Sequence, residues 1–273
     1  MTVERPSIES LGEFINAMSA LQRLSEDLRP LFWFRGHARV EWELQPVVLR
    51  SGFVEYVNQF NVAPNNSSIV KSAIETAERV INDEFRREGA SLIPAGIDCV
   101  DSYFLAQHHG LPTRLLDWTS NPLAALFFAV SERGDEDGEV IAILPDWRLT
   151  FGVENSPRRA TLPFPPVGQR HPLVVSTIQF LFEEGARPSE ALIIPFRPDL
   201  TAGRMLHQGA CFTLHMPNCP DLVETPSNAK RFVIPSANKV AICEELRANG
   251  TTSATLFPDL DHLAKEIRNR RNL

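Results

Sequence analysis

Apolar residues recur at helical spacing along the first part of the chain, at Leu11, Phe14, Ile15, Met18, Leu21 and Leu24, which predicts a helix over Ser10–Leu28. Ser10 with Glu13 three residues on has the form of a capping box, and Arg29-Pro30 ends the segment. Leu31-Phe32-Trp33-Phe34 reads as a short buried strand, followed by a strand end and exposed loop over 35–50. Residues 61–68 form a polar connection, and a second helix spans Ile69–Arg87 with Val70, Ile74, Ala77, Val80, Ile81 and Phe85 on one face. A third helix over Asp98–His109 closes at Gly110, a natural left-handed cap. Asn121-Pro122 then opens a buried helix, with Asn as cap and Pro at the first position. Leu123–Val130 has almost no polar face.

Beyond these, 132–138 is an acidic turn, Val140–Leu144 a core strand, and 149–172 a Pro-rich loop. Ala191–Phe196, Ala210–His215 and Phe232–Pro235 read as strands. Ser236 caps a helix ending near Asn249-Gly250, and Pro258 opens a last helix to Arg271, whose Lys265, Arg268, Arg270 and Arg271 complement the helix dipole. Helices and strands intermix without a linker. The expected fold is thus one α+β domain, a mixed or split β-sheet flanked by helices, with residues 1–30 as an N-terminal helix packed on a domain of 31–271.

Composition narrows the class. The chain has 273 residues, 43% of them hydrophobic and 22% charged, an ordinary globular balance. The apolar run 123–130 is far short of the roughly 20 residues of a bilayer span, so no membrane association is expected. MTVERPSIES lacks an apolar signal region, and four cysteines do not make a disulfide scaffold. A cytoplasmic setting is expected. The net charge of −7 argues against broad coating of nucleic acid.

Three clusters could carry chemistry. The densest is Gln107-His108-His109-Gly110-Leu111-Pro112-Thr113-Arg114-Leu115-Leu116-Asp117-Trp118-Thr119. It gathers imidazoles, a guanidinium, a carboxylate and an indole around a Gly/Pro-shaped turn. A plainer reading makes it a polar turn with a core Trp. The second is Trp33-Phe34-Arg35-Gly36-His37, with Arg39, Glu41, Trp42, Glu43 and Arg50 after it. An Arg at a strand end beside a Gly suits phosphate binding, whereas the plainer reading pairs Arg35 with Asp117 or a glutamate. The third runs from Gly203 and Arg204 through Gln208 and Gly209 to Thr213. No metal site is expected. His207, Cys211, His215 and Cys219 recur every four residues, about 13 Å per step in a strand and about 18 Å from first to last in a helix, too far for all four to share one zinc unless the chain folds back at Pro217. Nucleophile-elbow, Walker and dinucleotide-loop patterns are missing.

Taken in this order, the blocks resemble the FRG domain family. The motif that names it is Phe34-Arg35-Gly36, followed by Trp42-x-Leu44-x-Pro46 and Arg50. Its central block runs from Gln107 to Ala129, its later Arg-Gln-Gly-Phe element is Arg204, Gln208, Gly209 and Phe212, and its ending is Ile234-Pro235, Lys239 and Leu256–Leu260. Position 37 departs from it, being His where the family more often has Gln. The family occurs in bacteria and their mobile elements. A further similarity, to ADP-ribosyltransferases, implies that Arg35 beside Gly36 contacts NAD phosphates and that Thr119 and Ser120 form a hydroxyl-bearing strand. Gln208 would then stand where a catalytic Glu is expected. An amide is no base, so that role would fall to Asp117, Glu41 or Glu43.

The resulting expectation is a nucleotide-using enzyme performing NAD-dependent ADP-ribosyl transfer or NAD cleavage. Arg35 and Arg114 would hold phosphates with help from Arg204, and His108 would orient substrate or exchange protons. Trp118 would wall the pocket, and Asp117 would polarise His108 or neutralise the developing cation. A protein or nucleic acid could be the target. The alternative is a non-catalytic nucleotide- or nucleic-acid-sensing module in antiphage defence; a His108/Asp117 hydrolase ranks third.

Overall fold

The N-terminal periodicity resolves into α1 (Leu11–Arg23), and the rest of the span that its spacing predicts, 24–28, lies outside the described residues. The Ser10 hydroxyl accepts from Glu13 N–H at 3.2 Å, but the Glu13 carboxylate accepts from Glu9 N–H rather than from Ser10. These coordinates belong to a computed structural model that describes residues 5–23, 32–60, 67–132, 134–145, 167–182, 193–199, 208–215 and 229–271. Most of the Pro-rich stretch 149–172 lies outside them, as does Arg204.

Strand β1 (Trp33–His37) follows, then a single 3-10 turn at Val47–Leu49 and α2 (Ser51–Asn58), which the polar/apolar pattern did not announce. The long periodic segment is α3 (Ser67–Glu88). Its buried line differs from the purely apolar one: Ile74, Glu75, Glu78 and Asn82 are buried, while Val80 is exposed. Helix α4 (Cys99–His108) begins where Asp98 accepts from Asp101 N–H at 2.9 Å and ends at Gly110, φ +82°.

Strand β2 (Leu115–Thr119) leads into α5 (Pro122–Val130), capped by Asn121 Oδ1 accepting from Leu123 N–H at 3.0 Å. Strands β3 (Gly138–Ile143) and β4 (Val167–Gly168), helix α6 (Pro172–Phe182), and strands β5 (Ile193–Arg197), β6 (Ala210–His215) and β7 (Ala229–Ile234) complete the sheet. Helices α7 (Ser236–Ala248), α8 (Ser253–Leu256) and α9 (Leu260–Arg271) finish the chain. Ser236 is not the cap of α7: Pro235 holds that position, and Asp137 from the acidic turn accepts from Ser236 N–H at 2.7 Å. Likewise Asp259, not Pro258, opens α9, accepting from His262 N–H at 2.8 Å.

The fold is α+β. The sheet order is β4-β5-β6-β2-β1-β3-β7, antiparallel between neighbours except for β4 with β5. Over β1, β3 and β7, one face packs on α1, α5 and α7 through Phe14, Phe34, Ala125, Ala142, Phe232 and Ile242. Over β2, β5 and β6, that layer is continued by α4 and α6 through Tyr103, Phe104, Ile178, Phe196 and Phe212.

The seam between the halves is weak. β1 and β3 pair over five positions, yet β1 and β2 share only the register pair Phe34–Thr119. Antiparallel strands joined at one end diverge beyond it, so the sheet splits between Arg35–His37 and Leu116–Trp118.

Candidate functional site

At that split lies a cleft of about 440 Å3, within the about 300–1,000 Å3 usual for small-molecule sites. β1 supplies Arg35 and Gly36, the end of α4 supplies Gln107 and His108, β2 supplies Asp117, Trp118 and Thr119, and the turn before β6 supplies Gln208. Aromatic walls come from Trp42, Phe104, Phe128 and Phe212, and Ser131 and Glu132 add polar groups where α5 ends. Seven of the residues given a catalytic or cofactor-binding role from sequence therefore share one cleft: Arg35, Gly36, His108, Asp117, Trp118, Thr119 and Gln208.

Arg35 bridges the split. Its Nη1 donates to the Asp117 carbonyl oxygen at 2.8 Å and lies 3.9 Å from the Asp117 carboxylate, while Nε donates to His37 Nε2 at 2.9 Å. Burial lowers its pKa to about 10, with Asp117 opposing the shift and Arg50 adding to it, so it is cationic at neutral pH. The plainer reading of Arg35 is thus part of the finding, because the guanidinium does tie two strands together. It also remains 17% exposed and lines the cleft.

Asp117 is the more open partner, at 57%. Its Oδ2 accepts from Gln107 Nε2 at 3.0 Å, and Gln107 Oε1 in turn accepts from the Thr113 hydroxyl. The carboxylate is thereby aimed from the end of α4. Neither Glu41 nor Glu43 lines the cleft: Glu41 pairs with Arg39, and Glu43 accepts from Ser51 N–H at the start of α2.

Thr119 and Gln208 meet across the strand ends. The Thr119 hydroxyl donates to the Gln208 carbonyl oxygen and accepts from Asn121 N–H at 2.8 Å. The Gln208 amide donates to Leu256 O at 3.0 Å. Gly209 turns the chain here with φ +60°, and a Cβ on it would fall 2.6 Å from the Ser120 hydroxyl. Trp118 is 3% exposed, with its indole N–H donating to the Thr213 hydroxyl at 2.9 Å.

One assignment requires correction. Arg114 does not hold a phosphate. It is fully buried on Glu78 of α3, Nε to Oε2 3.0 Å, and its backbone N–H donates to the Tyr103 hydroxyl. A buried guanidinium needs such a counter-charge, and α3 supplies it. Gly36 lines the cleft and also admits the backbone of α5, since a Cβ there would lie 1.9 Å from Ala125 O.

The sequence reading missed Phe104, Phe128 and Glu132 as cleft residues. Phe128 sits in a run apolar on every side, which hides which face looks into a cleft. Of the spaced His/Cys positions, His215 is buried, with its Nε2 2.8 Å from the Thr213 hydroxyl; His207 and Cys219 lie outside the described residues.

Among the described residues, no helix is long and apolar enough to cross a membrane. No curated protein and no solved structure matches the chain. The matched family stretch spans β1 to the start of β3 and holds every cleft residue from Phe34 to Glu132, with Gln208, Ala210 and Phe212 coming from beyond it. That stretch is given by the model of the FRG domain, which matches residues 30–138 of the chain.

Proposed function

We propose that the cleft binds NAD as substrate and that the protein breaks its nicotinamide–ribose bond, passing ADP-ribose to water or to a protein or nucleic-acid acceptor. The observation that carries this reading is the juxtaposition of the Arg35 guanidinium with the exposed Asp117 carboxylate, 3.9 Å apart at the mouth of the sheet split. Arg35 binds the pyrophosphate, since a guanidinium fork matches phosphate oxygens, and Trp42, Trp118 and Phe128 wall the aromatic groups. As the C–N bond breaks, its electron pair leaves with nicotinamide. Asp117 stabilises the cationic ribose until the acceptor oxygen or nitrogen adds and releases a proton. His108, exposed at the rim, takes up that proton. The likeness to ADP-ribosyltransferases and the family's bacterial setting support a cytoplasmic effector in conflict with phage.

A second reading, a nucleotide sensor without turnover, is favoured by Gln208. An amide stands where transferases of this kind place a carboxylate, and its NH2 is engaged by Leu256 O. Nicotinamide release from NAD, with and without cell lysate, separates the two. Release by the wild type, lost in Asp117→Asn with affinity kept within a few fold, supports the enzyme. Binding without release under any condition leaves the sensor, and binding of no nucleotide at all removes both.

A further inference from the structure

Strand pairing places a line of buried charge behind Arg35. Arg35 and His37 are two apart on β1 and so share a face; His37 stands directly opposite Glu139 on β3, and Glu139 is flanked on β7 by Arg231. His37 is 1% exposed and Glu139 fully buried. Arg231 Nη1 donates to both Glu139 oxygens at 3.0 Å, Glu139 Oε1 lies 3.3 Å from His37 Nδ1, and His37 Nε2 accepts from Arg35 Nε at 2.9 Å. The imidazole also meets the Trp42 indole edge-on, ring centres 5.9 Å apart.

We propose that His37 is a positioning residue, an Nδ1–H tautomer whose ring faces Glu139 and whose bare Nε2 fixes the Arg35 guanidinium in the cleft. The tautomer follows from the donors. An Arg Nε always carries its proton, so the atom facing it must be an unprotonated ring nitrogen. The ring proton then sits on Nδ1, where it faces a carboxylate whose charge Arg231 already compensates. Burial pushes the imidazole down to about 4, so it is neutral at pH 7 and available as an acceptor. With Nε taken by His37 and Nη1 by the Asp117 carbonyl, the guanidinium has little rotational freedom left. A pre-set donor fork loses less entropy on meeting an anion.

The consequence for binding rests on the nucleotide reading above; the geometry itself does not. The first test is nitrogen NMR of the full wild-type chain at pH 7.5. The expected result is a neutral His37 protonated on Nδ1 and bare on Nε2, with a slowly exchanging Arg35 Nε–H. A ring protonated on Nε2 overturns the proposal without any variant being made. His37→Gln offers an amide oxygen in place of Nε2 and is expected to keep the slow Arg35 proton. His37→Leu offers no acceptor and is expected to lose it while the amide spectrum stays dispersed.

Titration with inorganic pyrophosphate and with NAD then reads the functional effect. His37→Leu is expected to bind about tenfold more weakly than wild type, or about 1.4 kcal/mol, with His37→Gln within about threefold. Equal affinity in a folded His37→Leu overturns the positioning role. If the wild type binds neither probe, the nucleotide reading fails, while the tautomer and exchange results still decide the role of His37.

Discussion

Glu78 and Arg114 meet fully buried, 36 residues apart in the chain, with Arg114 Nε 3.3 Å from one carboxylate oxygen of Glu78 and 3.0 Å from the other. The pair fastens α3 to the entry of β2, immediately before the cleft residues Asp117, Trp118 and Thr119. Tyr103 joins it by donating to Glu78 and accepting from Arg114 N–H at 2.8 Å. Removing one partner strands a charge, so Glu78→Ala is expected to lower stability by about 3–5 kcal/mol. The double change Glu78→Leu with Arg114→Met is expected to recover much of that loss. Urea unfolding of the three proteins checks it, and a mild effect of the single change would show that water reaches the pair.

Gly36 has the opposite problem, too little space. A Cβ there would lie 1.9 Å from Ala125 O and 2.8 Å from Ala129 N, both backbone atoms of α5. Since backbone cannot swing aside as a side-chain tip can, Gly36→Ala must push α5 off the sheet. The expected cost is at the upper end of the about 1–3 kcal/mol usual for overpacking, or beyond it. A thermal melt of the variant within a few degrees of wild type would contradict this packing.

Lys239 ties the two sides of the cleft rim. Its Nζ donates to Ala38 O at 2.7 Å and to Glu132 O at 3.2 Å, and both of those residues line the cleft. Lys239→Met keeps the stem but strips two carbonyls of a charged donor, with an expected cost of about 1–3 kcal/mol. Hydrogen exchange should speed up at the end of α5 more than in β6; uniform acceleration would instead mean a global effect.

Acid should weaken the fold before the carboxylates titrate. Burial lowers His37 to about 4, against Glu139 and alongside Arg35 and Arg231, and lowers His215 to about 3, with Arg114 adding to the shift. Both rings are neutral in the folded chain, whereas the unfolded chain binds protons once the pH falls below about 6.5. The stability that depends on these two neutral rings is therefore fully present above that pH. It declines as the pH drops through the window from about 6.5 to about 4, by about 1.4 kcal/mol per pH unit for each ring. Denaturation midpoints at several pH values should show that slope, and His37→Gln should reduce it.

The local elements were legible because their signals are local. Asp98, Gly110 and Asn121-Pro122 mark the ends of α4 and the start of α5 through capping geometry that depends on a few neighbouring residues. The spacing of α3 was legible for the same reason. Its buried Glu75 and Glu78 were not, because an apolar stripe assigns acids to the solvent side. The Asp137 carboxylate that accepts from Ser236 N–H at the start of α7 was equally hidden, being a loop group brought in across 99 positions of chain.

The sequence alone determined the α+β class, the FRG motif blocks and the gathering of candidate chemistry at Arg35 and Gln107–Thr119, since these follow from periodicity and from residue types in a recognisable order. Only the tertiary structure decided what each polar group faces. It turned Arg35 toward a cleft and Arg114 into the core, although both are arginines beside short apolar strands. The difference lies in the partner: a sheet that parts beyond Phe34–Thr119 leaves Arg35 at an opening, whereas α3 brings Glu78 against Arg114. Burial and counter-charge are properties of contacts made across the chain, and residue spacing carries no record of them.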